Sequence, residues 1–292
     1  GGAYSAAQDA FVPRSALPVY RRQRYPDPVL GERFDRGTTV FETDALRMWH
    51  LEQDVAIVSF RTKQHTIGDD VLDGMLRALD EAERGFAGLV IWQTKEPFSF
   101  GANLATLAPA VQSGRWDTVE AAVARFQQTS LRLRYSLIPT VAAVRGMALG
   151  GSCEFIMHCD RAVAALESYV GLVEAGVGLL PGGGGTKEFA VRAADAVRQG
   201  PTGGQADHFP FLRASFQTIA MATVAKSALE AKALGFLRNA DVVVTHPHEI
   251  LHVAIGQARG RYFGAAAEAY LALVRGDSSG AVRRFEAVPA SL

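Results

Sequence analysis

The segment Ala148–Glu154 places two adjacent glycines and a carboxyl group at the predicted start of a helix. Gly150 and Gly151 have no Cβ, so the backbone can come close to a ligand there. The first amides of a helix have no intrahelical partner and lie at the electropositive end of its dipole. Apolar neighbours would raise the pKa of Glu154 by desolvation. The segment therefore predicts backbone donors for a developing negative charge beside a carboxyl group suited to acid–base chemistry.

The elements that would position this segment alternate between strand and helix. Short apolar runs bounded by turns predict strands, and apolar residues spaced three or four apart predict helices. The predicted strands are 39–41, 45–49, 55–60, 89–93, 140–145, 161–165 and 241–245. The predicted helices are 69–84, 119–137, 152–158 and 228–236, with further helices after 245. This alternation indicates an α/β fold with parallel strand pairing.

Composition indicates an ordered globular protein with a sizeable core. The chain has 292 residues, 48% of them apolar, and a formal net charge of zero. The neutral balance gives no support to binding of nucleic acid or anionic membranes. No apolar run is long enough to span a bilayer, and no signal-peptide pattern is present. The two cysteines, Cys153 and Cys159, fall on one predicted helix, which disfavours a disulfide framework and predicts a reducing, cytoplasmic location.

The chain divides by composition into three parts. Residues 1–36 contain interspersed prolines and arginines and are predicted to be a linker or arm, with a docking arm for a partner as the second interpretation. Residues 37–245 form the predicted core, and residues 246–292 form a predicted C-terminal helical region. Because the sequence begins with Gly1 and not Met, we expect it to be an excised piece, or to lack residues at its start.

Three stretches carry a resemblance to a known family when they are read together. They are Phe98–Leu104, Ala148–Glu154 and Tyr169–Thr186, the last with four consecutive glycines at 182–185. Their order, spacing and residue types resemble the enoyl-CoA hydratase/isomerase (crotonase) superfamily over roughly residues 49–258. Glu174 lies 20 positions after Glu154, as in the hydratases of that family. The resemblance implies a crotonase-type α/β spiral of stacked ββα units with a C-terminal helical region, and assembly as trimers or hexamers.

The resemblance also implies a site and a reaction, the hydration of a trans-2-enoyl-CoA to a 3-hydroxyacyl-CoA. The backbone N–H groups of Ala102 and Gly151 would form an oxyanion hole for the thioester carbonyl. Glu154 would activate water and Glu174 would deliver a proton to C2. No metal or redox cofactor is implied, because coenzyme A is part of the substrate. The implied substrate and coenzyme A contacts are Lys63, Ala102, Gly151, Pro181 and Gly182.

The sequence departs from the family pattern at several places. Asn103 stands where aspartate is common, and Lys187-Glu188 replaces the commoner Gln-Arg pair. About thirty extra residues lie between Ala190 and Ala228, within the divergent stretch 191–227, and leave the acyl-pocket wall and the trimer contacts open. The Pro- and Arg-rich lead-in resembles the junction of bifunctional β-oxidation proteins. On that interpretation, a 3-hydroxyacyl-CoA dehydrogenase part is fused upstream of this hydratase part.

Other functions have weaker support in the sequence. A Δ3,Δ2-enoyl-CoA isomerase is the alternative within the family, and a non-catalytic acyl-CoA-binding or assembly module is the alternative outside it. His248–His252 matches the H-E-x-x-H zinc pattern, but Pro247 and Glu249 also suit an ordinary helix start. Gly150–Glu154 resembles a nucleophile elbow, with glutamate replacing the final glycine. Cys153 is interpreted as a small buried thiol.

Overall fold

Twelve strands are present in the computed structural model, which describes residues 2–13, 17–25, 37–51, 54–200 and 206–260. The two most N-terminal strands pair as an antiparallel hairpin. The strands are β1 (Gly2–Ser5), β2 (Ala10–Pro13), β3 (Thr38–Glu42), β4 (Leu46–His50), β5 (Val55–Phe60), β6 (Gly88–Trp92), β7 (Thr140–Val144), β8 (Met147–Leu149), β9 (Arg161–Ala165), β10 (Tyr169–Gly171), β11 (Val224–Ala225) and β12 (Val242–Val244).

Helices connect most of these strands in the described part of the chain. Three short 3₁₀ turns, Lys63–His65, Glu174–Val177 and Pro247–Glu249, supplement them. The α-helices are α1 (Pro18–Arg22), α2 (Asp69–Gly85), α3 (Leu104–Gln112), α4 (Trp116–Arg134), α5 (Gly151–His158), α6 (Gly185–Gln199), α7 (Phe209–Ala220), α8 (Ala228–Ala233) and α9 (250–260).

A seven-stranded sheet forms the centre of the fold, in the order β12-β9-β7-β6-β5-β4-β3. Its strands from β12 to β5 are parallel, and β4 and β3 join as antiparallel neighbours. Every residue of β5, β6 and β7 is buried, as expected for parallel strands covered on both faces. The α/β prediction from the sequence is confirmed.

A second, smaller sheet carries the site. β8 and β10 pair in parallel, with Leu149 opposite Gly171, and β11 adds an antiparallel edge. The amide of Gly150 then donates to the carbonyl of Gly171 at 2.8 Å. This pairing lays the start of α5 beside the chain that leads into the 3₁₀ turn at Glu174.

The two faces of the large sheet are covered by different elements. One face packs against α2, α4 and α5 through residues such as Met75, Leu133 and Phe155. The opposite face packs against α9 through residues such as Ile250 and Leu251. α2, α4 and α5 therefore lie on one side of the sheet and α9 on the other.

The segment predicted as a linker contains regular structure and a docked tyrosine. Tyr25 packs on the rings of Trp49 and Trp92, with centroid distances of 6.1 and 5.0 Å, on the α9 face of the sheet. Arg22 forms an ion pair with Glu249 at 3.2 Å, and Arg24 Nε lies 3.4 Å from His252 Nδ1. The division into arm, core and C-terminal region remains a prediction, and its last part, 261–292, lies outside the described residues.

Most predicted elements agree with the structure to within a few residues. The predicted helix 119–137 is α4, which starts three residues earlier and ends three residues earlier. α3, α6, α7 and β8 were not predicted from the sequence. α3 contains Pro109, and a proline inside an apolar run argues against a helix. β8 has only three residues, at a place where the sequence predicts a turn.

Candidate active site

Two backbone amides, those of Ala102 and Gly151, are brought together by a link between two loops. The carbonyl of Ser99 accepts from Leu149 N at 3.1 Å and from Ser152 Oγ at 2.7 Å. Gly101 has a φ of +81°, and a Cβ at that position would lie 2.7 Å from Gly151 N. Only glycine allows this approach. A Cβ on Gly151 would in turn lie 3.2 Å from Ala102 N, so the two amides are neighbours.

Both amides are left free of regular backbone pairing. Ala102 forms a parallel bridge with Ile67 in which Ile67 donates to Gly101 O and Asn103 donates to Ile67 O. The flanking residues therefore carry the bridge, and the N–H of Ala102 faces the other way. Gly151 is the first residue of α5, so its N–H has no intrahelical acceptor. The two amides are therefore neighbours with free donor directions, and their role as an oxyanion hole remains a prediction.

Glu154 is the buried carboxyl group of the site, with 2% of its surface exposed. Its Oε1 accepts from Gly185 N at 2.8 Å, and the amides of Gly183 and Gly184 also face the carboxylate. Burial raises its pKa from 4.5 to about 7, the negative charge of Glu174 adds to the rise, and the three amides oppose it. Glu154 is therefore a carboxyl group that can exchange a proton near neutral pH.

Glu174 approaches from the 3₁₀ turn that follows β10. Its Oε1 would lie 3.1 Å from a Cβ on Gly150, which places it against the start of α5. Its Oε2 is buried and has no hydrogen-bond partner among the described residues. Burial raises the pKa of this carboxyl group as well. A buried oxygen without a partner, beside a second carboxyl group, is suited to binding a water molecule or a reacting proton.

An apolar cavity of about 400 Å³ opens beside these groups. Ala102, Gly151, Glu154 and Glu174 line one part of it. The other walls are apolar side chains and glycines of α3, α4 and the segment after Glu174. These include Leu104, Leu107, Ala108, Val111, Val119, Ala122, Val123, Phe126, Val177, Leu179, Leu180, Gly182 and Gly183. The cavity thus presents donors and carboxyl groups at one place and a long apolar wall elsewhere.

Phe126 is a site residue that the sequence alone did not single out for function. Its ring lies against the positions of Gly151 and Gly183, where a Cβ on either glycine would meet the ring closer than 3 Å. The ring also packs on Phe155, with a centroid distance of 5.1 Å. Phe126 appeared in the sequence as one apolar position of a long helix, and only the packed structure shows that it closes the site.

Only some of the remaining predicted site residues line the cavity. Gly182 lines the cavity, whereas Pro181 is buried beside it and accepts from Thr186 Oγ1 at 3.3 Å. Lys63 is exposed in its 3₁₀ turn and does not line this cavity. Asn103 caps α3, because its Oδ1 accepts from Ala105 N at 3.2 Å. The cap that aspartate would provide is therefore kept without its charge.

The H-E-x-x-H motif has structural partners in place of a metal site. Glu249 pairs with Arg22, and His252 faces Arg24. Pro247–Glu249 is a 3₁₀ turn that leads into α9. Within the described ranges no cluster of three histidine, cysteine or acidic side chains has the arrangement of a metal site. The same part of the chain contains no helix that is both long and apolar enough to cross a membrane.

Comparison with known proteins places the chain in a family. The family model "Enoyl-CoA hydratase/isomerase" matches residues 51–197. A probable 3-hydroxyacyl-CoA dehydrogenase of Bacillus subtilis is 39% identical over 73% of this chain and 26% of its own length. A putative fatty acid oxidation complex trifunctional enzyme of Rickettsia felis is 34% identical over 65% of this chain and 27% of its own. The chain thus spans about a quarter of the length of these curated relatives.

The fold is also shared with solved structures. The enoyl-CoA hydratase of Bacillus anthracis superposes with a TM-score of 0.61 at 21% identity, over 84% of this chain and 90% of that one. The predicted crotonase fold is therefore confirmed. With the match of the family model over half of the sequence, the chain belongs to the enoyl-CoA hydratase/isomerase family.

Proposed function

We propose that this chain is an enoyl-CoA hydratase, which adds water to a trans-2-enoyl-CoA and yields a 3-hydroxyacyl-CoA. One observation carries the proposal. Glu154, which is buried, and Glu174, which is half-buried, both have raised pKa values and line the same cavity as the amides of Ala102 and Gly151. Hydration of a conjugated thioester needs an oxyanion site, a base for water and an acid for carbon.

Each group has a step in the proposed reaction. The amides of Ala102 and Gly151 donate to the thioester oxygen, where negative charge develops. Glu154 removes a proton from water while the water oxygen bonds to C3, and electrons move to give an enolate. Glu174 then donates its proton to C2, and the carbonyl is restored. The product has gained one water, and a proton passes from Glu154 to Glu174 to reset the pair.

The electrostatics of the two carboxyl groups suit a coupled acid–base pair. Burial raises both pKa values, and the charge of Glu174 raises that of Glu154 further. Two carboxyl groups that interact in this way titrate as a coupled pair. A pair that holds one proton contains one base and one acid, and hydration requires both.

The lining of the cavity supports the assignment of an acyl-CoA substrate. The apolar walls from α3 and α4 suit a hydrocarbon chain, and coenzyme A enters as part of the substrate. The proposed steps use only protein groups and water, so they call for no resident cofactor. The names of the longer relatives support a further proposal, that the 3-hydroxyacyl-CoA product is passed to a dehydrogenase part of a longer chain. Assembly as trimers or hexamers remains a prediction.

The experiment measures hydration of a short trans-2-enoyl-CoA by loss of its enoyl absorbance. The parent chain is compared with Glu154→Gln and Glu174→Gln, and Glu120→Gln on the exposed side of α4 is the matched control. Each site variant should lose about 10²-fold to 10⁴-fold in kcat, as expected when a general acid or base is removed. The control should keep parental activity, and circular dichroism checks that all variants are folded.

The alternatives give different results in the same assay. Retained hydration in either site variant would remove that glutamate from its role. Isomerisation of a 3-enoyl-CoA, without hydration, would assign the chain to the isomerases of the family. Binding of acyl-CoA without any turnover would indicate a non-catalytic acyl-CoA-binding module.

A further inference from the structure

A buried histidine lies directly behind Glu154 and outside the cavity. The side chain of His158 has no exposed surface, and its Nδ1 is 2.7 Å from the backbone oxygen of Glu154. Its Nε2 is 3.0 Å from Nζ of Lys187 in the first turn of α6. The proposed reaction gives neither His158 nor Lys187 a step. A fully buried polar contact of this kind calls for an explanation.

The contacts fix the tautomer of the imidazole. An ammonium group only donates, so Nε2 of His158 must accept from Lys187. Nδ1 then carries the proton and donates to the Glu154 carbonyl. Burial lowers the pKa of His158 to about 4, which keeps the ring neutral at pH 7. The Glu154 carbonyl and the Lys187 ammonium group thus both favour the tautomer with its proton on Nδ1.

One buried carboxylate anchors the lysine, and that carboxylate is paired in turn with an arginine. Glu188 is 2% exposed, and its Oε1 lies 2.9 Å from Lys187 Nζ. Its Oε2 accepts from Arg134 of α4 at 2.7 Å. These contacts form a continuous path from α4, through α6, to the backbone of α5 at Glu154. The Lys187-Glu188 pair is the place where the sequence departs from the Gln-Arg pair of the family pattern.

The same path holds the glycine-rich loop against the catalytic carboxyl group. Gly184 has a φ of +117°, and a Cβ there would lie 2.7 Å from Cε1 of His158. A Cβ on the neighbouring Gly183 would likewise lie closer than 3 Å to Glu154 Oε2. Gly185 N donates to Glu154 Oε1 at 2.8 Å. Lys187 follows this loop by two residues. A shift of the α6 start would therefore move the amides off the carboxylate.

We propose that His158 and Lys187 are positioning residues, which hold the amides of residues 183–185 on the carboxylate of Glu154. The proposal deepens the proposed function and rests on it for its kinetic readout. Lys187 holds the imidazole against α6 by a hydrogen bond. The imidazole, which belongs to α5, packs against Gly184 of the loop. The pair thereby sets how well the charged form of Glu154 is stabilised, without touching the substrate.

The pH dependence of Glu154 follows from the groups that face it. Glu174 approaches from the 3₁₀ turn, and Cys153 and His158 share α5 with Glu154. The charges around His158 come from α6 and α4, and they are Lys187, Glu188 and Arg134. Arg192 of α6 interacts with Glu188 and Cys153. Hydrogen bonds to a carboxylate favour its charged form, so loss of the loop amides would raise the pKa of Glu154.

The test uses Lys187→Met, which keeps the length of the side chain and removes the donor, and Lys187→Arg, which keeps a donor. Lys187 is 44% exposed, so both variants should fold. Lys95→Met, at an exposed position outside the site, is the matched control. In kcat/KM against pH, the acidic limb should move up by about one pH unit in Lys187→Met. Lys187→Arg should restore most of it, and Lys95→Met should leave it in place.

A second measurement does not depend on turnover. Nitrogen-15 NMR of the parent chain should show the His158 ring protonated at Nδ1, with Nε2 accepting a hydrogen bond. Lys187→Met should keep the proton on Nδ1 and shift the Nε2 resonance, because Nε2 loses its donor. Carboxyl carbon-13 NMR follows the titration of Glu154 directly. An unmoved Nε2 resonance and an unmoved Glu154 titration in folded Lys187→Met would overturn the proposal. If the parent chain has no hydratase activity, the proposed function fails, but the two NMR readouts still decide the roles of His158 and Lys187.

Discussion

Replacement of Glu154 by glutamine should change how stability depends on pH. The native pKa of this carboxyl group is about 7, against an ordinary value of 4.5. Between these two values the folded state binds more protons than the unfolded state, so the free energy of unfolding falls as pH rises. The loss is complete above the native pKa. At about 1.4 kcal/mol per pH unit, the full effect of Glu154 is about 3 kcal/mol.

Glutamine removes this term because it does not titrate. At pH 4, Glu154→Gln should be equal to the parent or about 1 kcal/mol less stable, since its amide nitrogen faces donors of the loop at 183–185. At pH 8, the same variant should be more stable than the parent. The difference in unfolding free energy between variant and parent should therefore shift by about 3 kcal/mol across this range, in favour of glutamine.

The assay is urea unfolding at a series of pH values from 4 to 8, followed by circular dichroism and tryptophan fluorescence. Glu120→Gln on the exposed side of α4 should show no such crossing and serves as the matched control. A difference between Glu154→Gln and the parent that stays constant with pH would refute the argument that Glu154 is held in an environment that disfavours its charge.

Two further predictions concern the oxyanion site and the acyl wall. Gly151→Ala should lower kcat by about 10²-fold to 10³-fold, because the new methyl would lie 2.6 Å from the ring of Phe126 and displace an oxyanion donor. Gly256→Ala in α9, where an added methyl meets no atom within 4 Å, should keep parental turnover, and equal kcat in both variants would contradict this. Ala122→Leu fills part of the 400 Å³ cavity and should lower kcat/KM for long enoyl-CoA substrates by about tenfold or more relative to a four-carbon substrate. An equal loss at every chain length would argue against α4 as the acyl wall.

The sequence was most informative where one physical signal dominates. β5 and α2 were predicted almost to the residue, because a continuous apolar run and a regular amphipathic period each have one structural reading. The segment Ala148–Glu154 was predicted to open a helix, and α5 begins at Gly151. α7 was missed, since it leaves Phe209 and Phe216 largely exposed and so has no sharply apolar face.

The site was predictable in its chemistry but not in its support. The residues Glu154, Glu174, Ala102 and Gly151 were named from motifs, and the structure brings all four to one cavity. Phe126 and the contact between His158 and Lys187 depend on packing between helices that are distant in the chain. No local period or motif encodes such contacts, and therefore they appear only once α4, α5 and α6 are assembled.

The contact between the side chains of Arg24 and His252 joins positions that are 228 residues apart in the chain. It lies on the α9 face of the large sheet, whereas the cavity lies on the face covered by α4 and α5. In a longer polypeptide, sequence joined before Arg24 or beyond α9 would therefore leave the fold on the face of the large sheet opposite the cavity.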